Sequence, residues 1–156
     1  MIELARIAAL IAVLGIAIVY GTDAFCAMVL RPALGRVDDR CLVAVMGYVH
    51  RYGDRRMPVP GALGIVGAAT SAALAAVADR WLAAIAAGAA VGLLLIWLVL
   101  YIRVSAPLNR QLTTAANTGE VPPNARVLQR DWDRIITGRA VLQGLATAAV
   151  CLALVI

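Results

Sequence analysis

Three stripes of polar and aromatic residues interrupt an otherwise apolar sequence, and each has helical spacing. Val43, Met46, Gly47, His50 and Asp54 fall at intervals of three and four, forming a face that is apolar at its start and ionisable at its end. Trp97, Tyr101, Ser105 and Asn109 are each four apart. Trp132, Arg139, Gln143 and Thr147 follow at spacings of seven, four and four. Tyr20 and Asp23 close the first apolar run. Brought to one end of a helical bundle, these side chains would line a pocket of aromatic rings with a histidine, an asparagine and an arginine, which suits a planar apolar small molecule. Plainer readings stand beside this one. A lone histidine is often structural or solvated, Asp23 can serve as a cap or as the partner of Arg139 or Arg31, and Trp97, Tyr101 and Trp132 can form an interfacial aromatic belt. The functional reading rests on the convergence of these residues.

The elements that must position them are membrane spans. Runs from Gly61 to Ala78 and from Trp81 to Ile102 are separated only by Asp79-Arg80, and each is close to the roughly 20 residues that cross a hydrocarbon core. Ile7–Tyr20 and Ile135–Ile156 are the other two, the last carrying Arg139 near its start. Backbone polar groups must be satisfied within the segment in lipid, so these runs are read as helices. The fold class is therefore all-α, a four-helix integral membrane bundle in a single domain over residues 1–156, with spans at about 4–23, 60–78, 81–102 and 135–156. The first run is read as a retained anchor, since its flank is mixed in charge and no small-x-small site ends it. At 63% apolar and 15% charged residues, the chain is far from a soluble domain, whose charged share is about 25%.

Charge assigns an orientation. Arg31, Arg36, Arg40, Arg51, Arg55 and Arg56 lie between the first two spans, and Arg103, Arg110, Arg126, Arg130 and Arg134 between the last two, against Arg6 and Arg80 on the other side. The positive-inside rule places both long connections in the cytoplasm and both termini outside, in a plasma (inner) membrane with the lipid bilayer as the first partner. The net charge of +5 is then a topology signal and not a nucleic-acid footprint. Cys26, Cys41 and Cys151 show no ligand spacing, and their odd number argues against a disulfide framework.

The first connection is predicted to carry a short amphipathic helix from about Arg40 to Tyr52, capped by Asp38-Asp39 and ended by Gly53, Pro58 and Pro60. Pro60 suits the first turn of the second span. In the second connection Pro107 predicts a kink or a helix end. Asn117, Gly119 and Pro122-Pro123 make a turn-rich loop, and helix resumes near Asn124. Gly61, Gly64, Gly67 and Ser71 give the second span a small packing face, which favours close helix approach and lateral association with a second copy or a larger complex.

The phrases Arg31-Pro32-Ala33-Leu34 and Pro107-Leu108-Asn109, with Trp132 seven residues before Arg139, resemble a four-helix membrane family of largely unknown function that includes the anthrone oxygenases. The stretch Met46–Pro58 looks like a subgroup feature. The resemblance implies a cofactor-independent oxygenase, without metal or flavin, that takes an anthrone-like polycyclic aromatic to its quinone. In that reading His50 is the base, Asp54 or Asp23 orients it, Arg139 and Asn109 donate to the enolate oxygen, and Trp97, Tyr101 and Trp132 stack on the rings, with Tyr20 and Gln143 also at the substrate. Two other classes compete. A non-enzymatic bundle that anchors or stabilises a membrane complex fits the small second helix. The other is a haem- or quinone-binding electron carrier; one histidine cannot supply bis-histidine ligation within a single chain, which counts against haem unless two chains share it. No zinc spacing, phosphate loop or paired intramembrane carboxylates are present.

Overall fold

The long apolar runs fold as helices, and three of the four continue well past the point where the sequence stops being apolar. The computed structural model describes residues 1–156. The chain is all-helical: α1 (Ile2–Leu34), α2 (Asp39–Arg56), α3 (Pro58–Val77), α4 (Trp81–Thr118) and α5 (Ala125–Val155). All but α2 are long and apolar enough to cross a membrane. These four pack as a closed ring, α1 on α3, α3 on α4, α4 on α5 and α5 on α1. The over-long ends of α1, α4 and α5 stand out from one end of the ring and, with α2 laid on the far half of α4, make a cap.

Ring and cap are packed by opposite rules. The ring core is Ala9, Ala12, Ile16, Ala68, Ala90, Leu94, Ala146 and Val150. Larger apolar side chains such as Leu10, Leu14, Ile18, Leu63, Leu82, Ile85 and Leu95 point outward. Lipid offers such side chains an apolar surrounding, so helices in it associate through small residues and close backbone contact. The tightest crossing is α1 on α3, where a Cβ on Gly15 would fall 2.6 Å from the Pro60 carbonyl oxygen and 2.8 Å from the Gly64 amide nitrogen. Of the small face of α3, Gly64 and Gly67 are thus taken up by α1 of the same chain, and Gly61 lies against Trp97 of α4. In the cap, Leu34, Leu42, Met46, Leu112, Leu128, Trp132 and Ile136 turn inward, as expected where burial is driven by water.

The cap is tied at named points. The Asp38 carboxylate accepts the Cys41 amide at 2.7 Å and caps α2. Arg126 on α5 donates to the Asp39 carboxylate at 2.6 Å, to the Leu34 carbonyl at 3.0 Å and to the Val37 carbonyl, closing the end of α1 onto α5. Gly47 lies so close to α4 that a Cβ there would sit 2.5 Å from the Leu112 carbonyl oxygen.

Two sequence expectations are revised. Gly53 does not end α2, which runs to Arg56; the break is the single residue Met57, set by Pro58 and Pro60, which lack amide hydrogens. Pro107 does not end the helix either. The bonds Arg31 N–H to Cys26 O and Ala106 N–H to Tyr101 O mark wide π turns at Cys26–Leu30 and Tyr101–Ser105, each ending two residues before a proline, Pro32 or Pro107. A proline ring presses on the carbonyl four residues back, here Met28 or Arg103, and both lie inside the π turn. The extra residue in the turn relieves the clash and lets the helix pass the proline, as π bulges do at functional sites.

Candidate functional site

The polar residues of α1 and α4 lie at or beside the π turns and meet those of α2 and α5 in the seam between ring and cap. A cavity of about 260 Å³ lies there. Its walls include Asp23, His50, Asp54, Trp97, Tyr101, Asn109, Trp132 and Arg139. Eight of the ten residues singled out from the sequence therefore line one space. Tyr20 does not: it lies against Gly144, with ring carbon Cε2 3.2 Å from where a Cβ would be, and is partly exposed. Gln143 is buried behind the wall and reaches Asp23 from below.

Two hydrogen-bonded groups build the polar wall. In the first, Arg139 and Asp23 form a buried ion pair, with Nη2 3.0 Å from both carboxylate oxygens. Gln143 Nε2 donates to Asp23 Oδ2 at 2.6 Å and Trp97 Nε1 donates to it at 3.4 Å, while Arg139 Nη1 donates to Ser105 Oγ at 2.8 Å. The guanidinium carbon also lies 5.8 Å from the Trp97 ring centroid and 5.6 Å from that of Tyr101, adding cation–π attraction. In the second group, Asp54 Oδ1 accepts from Tyr101 Oη at 2.8 Å and from Asn109 Nδ2 at 2.9 Å. These bonds pin the end of α2 onto α4 above the cavity.

The carboxylates expected to orient His50 are thus engaged elsewhere, and so are most of the expected oxyanion donors. Asp23 serves Arg139, the plainer of the readings open to it from sequence. Asp54 serves Tyr101 and Asn109. His50 instead lies beside Trp132, ring centroids 5.4 Å apart and tilted by 55°. Burial, with a smaller push from the Arg139 charge, lowers its pKa to about 3, so the imidazole is neutral at ordinary pH.

Some polar capacity is left over. Five buried side-chain atoms have no hydrogen-bond partner, and four of them belong to residues lining this cavity: His50 Nε2, Asn109 Oδ1, Trp132 Nε1 and Arg139 Nε. Asn109 Oδ1 is an acceptor, Trp132 Nε1 and Arg139 Nε are donors, and His50 Nε2 is an acceptor in the Nδ1–H tautomer. Buried polar atoms are nearly always paired, so four unpartnered ones among the residues of one cavity make it the candidate place to meet a polar group. The rest of the wall is apolar, from Val19, Val49, Met57, Pro58, Ala62, Ile65 and Leu98. Trp97 and Tyr101 stack at 6.1 Å and 17°, a flat aromatic surface. No three His, Cys, Asp or Glu side chains converge as metal ligands.

Sequence reasoning passed over several members. Ser105, which holds Arg139, stood in the four-residue stripe but had no role assigned. Ala62, Ile65 and Leu98 read as ordinary lipid-facing residues, and nothing in their type distinguishes them. No protein family matches the chain, and comparison with characterised proteins and with solved structures finds nothing similar to it.

Proposed function

We propose that the chain is a membrane-embedded, cofactor-independent oxygenase that removes a proton from an anthrone-like polycyclic aromatic and hands the carbanion to molecular oxygen. The observation that carries this reading is an unpartnered Nε2 on a neutral His50, in a cavity with one polar and one apolar wall, beside unpartnered donors on Trp132 and Arg139. The cavity orients a flat ring system on Trp97 and Tyr101. His50 accepts the methylene proton, and the electron pair spreads over the rings to the carbonyl oxygen, now an enolate. Trp132 Nε1–H and Arg139 Nε–H supply hydrogen bonds to that oxygen.

The low pKa of His50 in the empty site opposes this step, and the charge formed on the substrate offsets that penalty. Protonation is disfavoured in the empty site by burial and by Arg139. The enolate brings a negative charge into the same cavity, so imidazolium and enolate appear together as a pair. Oxygen then takes one electron from the carbanion and the radicals combine in a carbon–oxygen bond. The imidazolium proton passes to the peroxide. Loss of water, with cleavage of the oxygen–oxygen bond and the second methylene C–H bond, gives the quinone. One anthrone and one oxygen yield one quinone and one water.

The Arg-rich cap end faces the cytoplasm of a plasma membrane in this proposal, by the positive-inside rule. The competing reading, a non-enzymatic membrane anchor, rests on the small face of α3 for lateral association, and α1 and α4 of the same chain already meet its glycines. The test is oxygen uptake by vesicles carrying the chain when an anthrone is added. One oxygen consumed per quinone, without hydrogen peroxide and above the uncatalysed air-oxidation rate, is the expected result. A rate equal to the protein-free baseline contradicts the proposal.

A further inference from the structure

The polar and apolar walls of the cavity face different surroundings. Asp23, His50, Asn109, Trp132 and Arg139 are all buried. The opposite wall reaches the protein surface: Pro58 and Ala62 on α3 are exposed while lining the cavity, and Ile65 on α3 and Leu98 on α4 are half-buried. This mouth is not framed by polar residues. On α3 it is bracketed by Val59, Leu63 and Val66, exposed at 64%, 48% and 61%. On α4 it is bracketed by Leu95, Val99 and Ile102, exposed at 48%, 57% and 55%. Exposed apolar residues at this density on two adjacent spanning helices belong in hydrocarbon, since water-facing surface of this kind is rare.

We infer that the ligand is a neutral, membrane-dissolved molecule that passes into the cavity sideways from the bilayer, between α3 and α4 at Ala62 and Leu98. It is drawn inward polar edge first to His50 and Trp132. This inference rests on the proposed reading of the cavity as a binding site for a planar aromatic, and adds the route and the phase from which the ligand comes. The geometry supports it in two further ways. The side chain of Ala62 is the smallest that can line a wall, leaving the gap open. On the cap side, the aqueous route passes Gly53, which lines the cavity on α2 with no atom within 4 Å of where its Cβ would lie. That route is flanked by the Asp54–Tyr101–Asn109 hydrogen bonds.

The test uses the full chain in lipid vesicles with anthraquinone, an unreactive planar probe, and reads quenching of Trp97 and Trp132 after rapid mixing. Trp81, at the opposite end of the ring, is replaced by Phe to remove its background. Two substitutions are compared, Ala62→Phe at the lipid mouth and Arg55→Phe on the exposed cap side of α2, beside Asp54 but outside the cavity lining. Ala62 and Arg55 are both exposed, and unchanged helicity by circular dichroism verifies the fold. The expected result is association slowed about tenfold or more by Ala62→Phe, and within about twofold of the parent for Arg55→Phe. Slowing by Arg55→Phe with none by Ala62→Phe, or equal slowing by both, overturns lateral admission while leaving the site in place. No quenching in the parent protein overturns both the inference and the reading beneath it.

Discussion

The ring and the cap are built from one chain by two solvents' rules. In the ring, alanine and glycine face inward and leucine, isoleucine and valine face outward. In the cap, leucine, methionine, isoleucine and tryptophan face inward. Lipid gives large apolar side chains no reason to hide, so the ring coheres by close backbone contact. Water gives them every reason, so the cap coheres by burial. Where the two regimes meet, neither packs the space fully, and the cavity with its polar wall occupies that seam. The site is therefore a consequence of joining two packing schemes.

Substitutions separate the two regions. The largest effect is expected at the seam. Arg139→Met leaves Asp23 buried at a side-chain exposure of 7% without its cation, and losing one partner of a buried pair costs about 3–5 kcal/mol. Unfolding in detergent micelles measures it, and adding Asp23→Asn should recover part of the loss. Close glycine contacts come next. Gly15→Ala forces a Cβ against the backbone of α3, and Gly47→Ala does so against the backbone of α4; each should cost about 1–3 kcal/mol as overpacking. They differ in kind: Gly15→Ala weakens the whole ring, whereas Gly47→Ala speeds amide exchange in α2 and leaves the ring protected. Equal exchange throughout the molecule in both variants would mean that ring and cap are one cooperative unit.

Acidity provides an effect that grows as pH falls and is confined to the cap. The unfolded chain protonates His50 near the ordinary histidine pKa of about 6.5, while the native chain holds it neutral down to about 3. Between these values the unfolded state binds more protons, so stability falls as pH falls through that window, and a His50→Phe variant should lose this part of the slope. For the same reason kcat/KM for the proposed reaction should show no histidine step between about pH 5 and 8. A tenfold fall per unit below the ordinary histidine pKa would show a solvated base. The smallest effect is at the surface: Arg31 and Asp133 are 3.7 Å apart with Arg31 half-exposed, and Arg31→Ala should cost under about 1 kcal/mol.

Much of this was legible in the sequence, for identifiable reasons. The spans follow from run length and hydropathy. The inward face of α2 follows from spacing, since Val43, Met46, Gly47 and His50 are all buried. The stripes placed most of the cavity's polar wall because residues three and four apart share a helix face whatever the partner. What spacing cannot supply is depth and local winding. Gln143 shares the face of Arg139 but lies one turn deeper, so it reaches Asp23 and not the cavity. Tyr20 is turned onto Gly144 of α5. The π turns before Pro32 and Pro107 were invisible, because a proline signals a clash without saying whether the helix breaks or widens. Ala62, Ile65 and Leu98 line the cavity by virtue of a gap between helices, which no residue type announces.

In the proposed reaction His50, at the seam, is the base of an oxygen-consuming step. Its most direct test is the initial rate of quinone formation from an anthrone in oxygenated membranes, comparing the wild-type chain with His50→Ala at equal protein level and equal helicity. The account predicts a wild-type rate above uncatalysed air oxidation that falls to that baseline in the variant. A His50→Ala rate equal to a wild-type rate above baseline would contradict the role of His50. Two rates equal to the baseline would contradict the reaction itself.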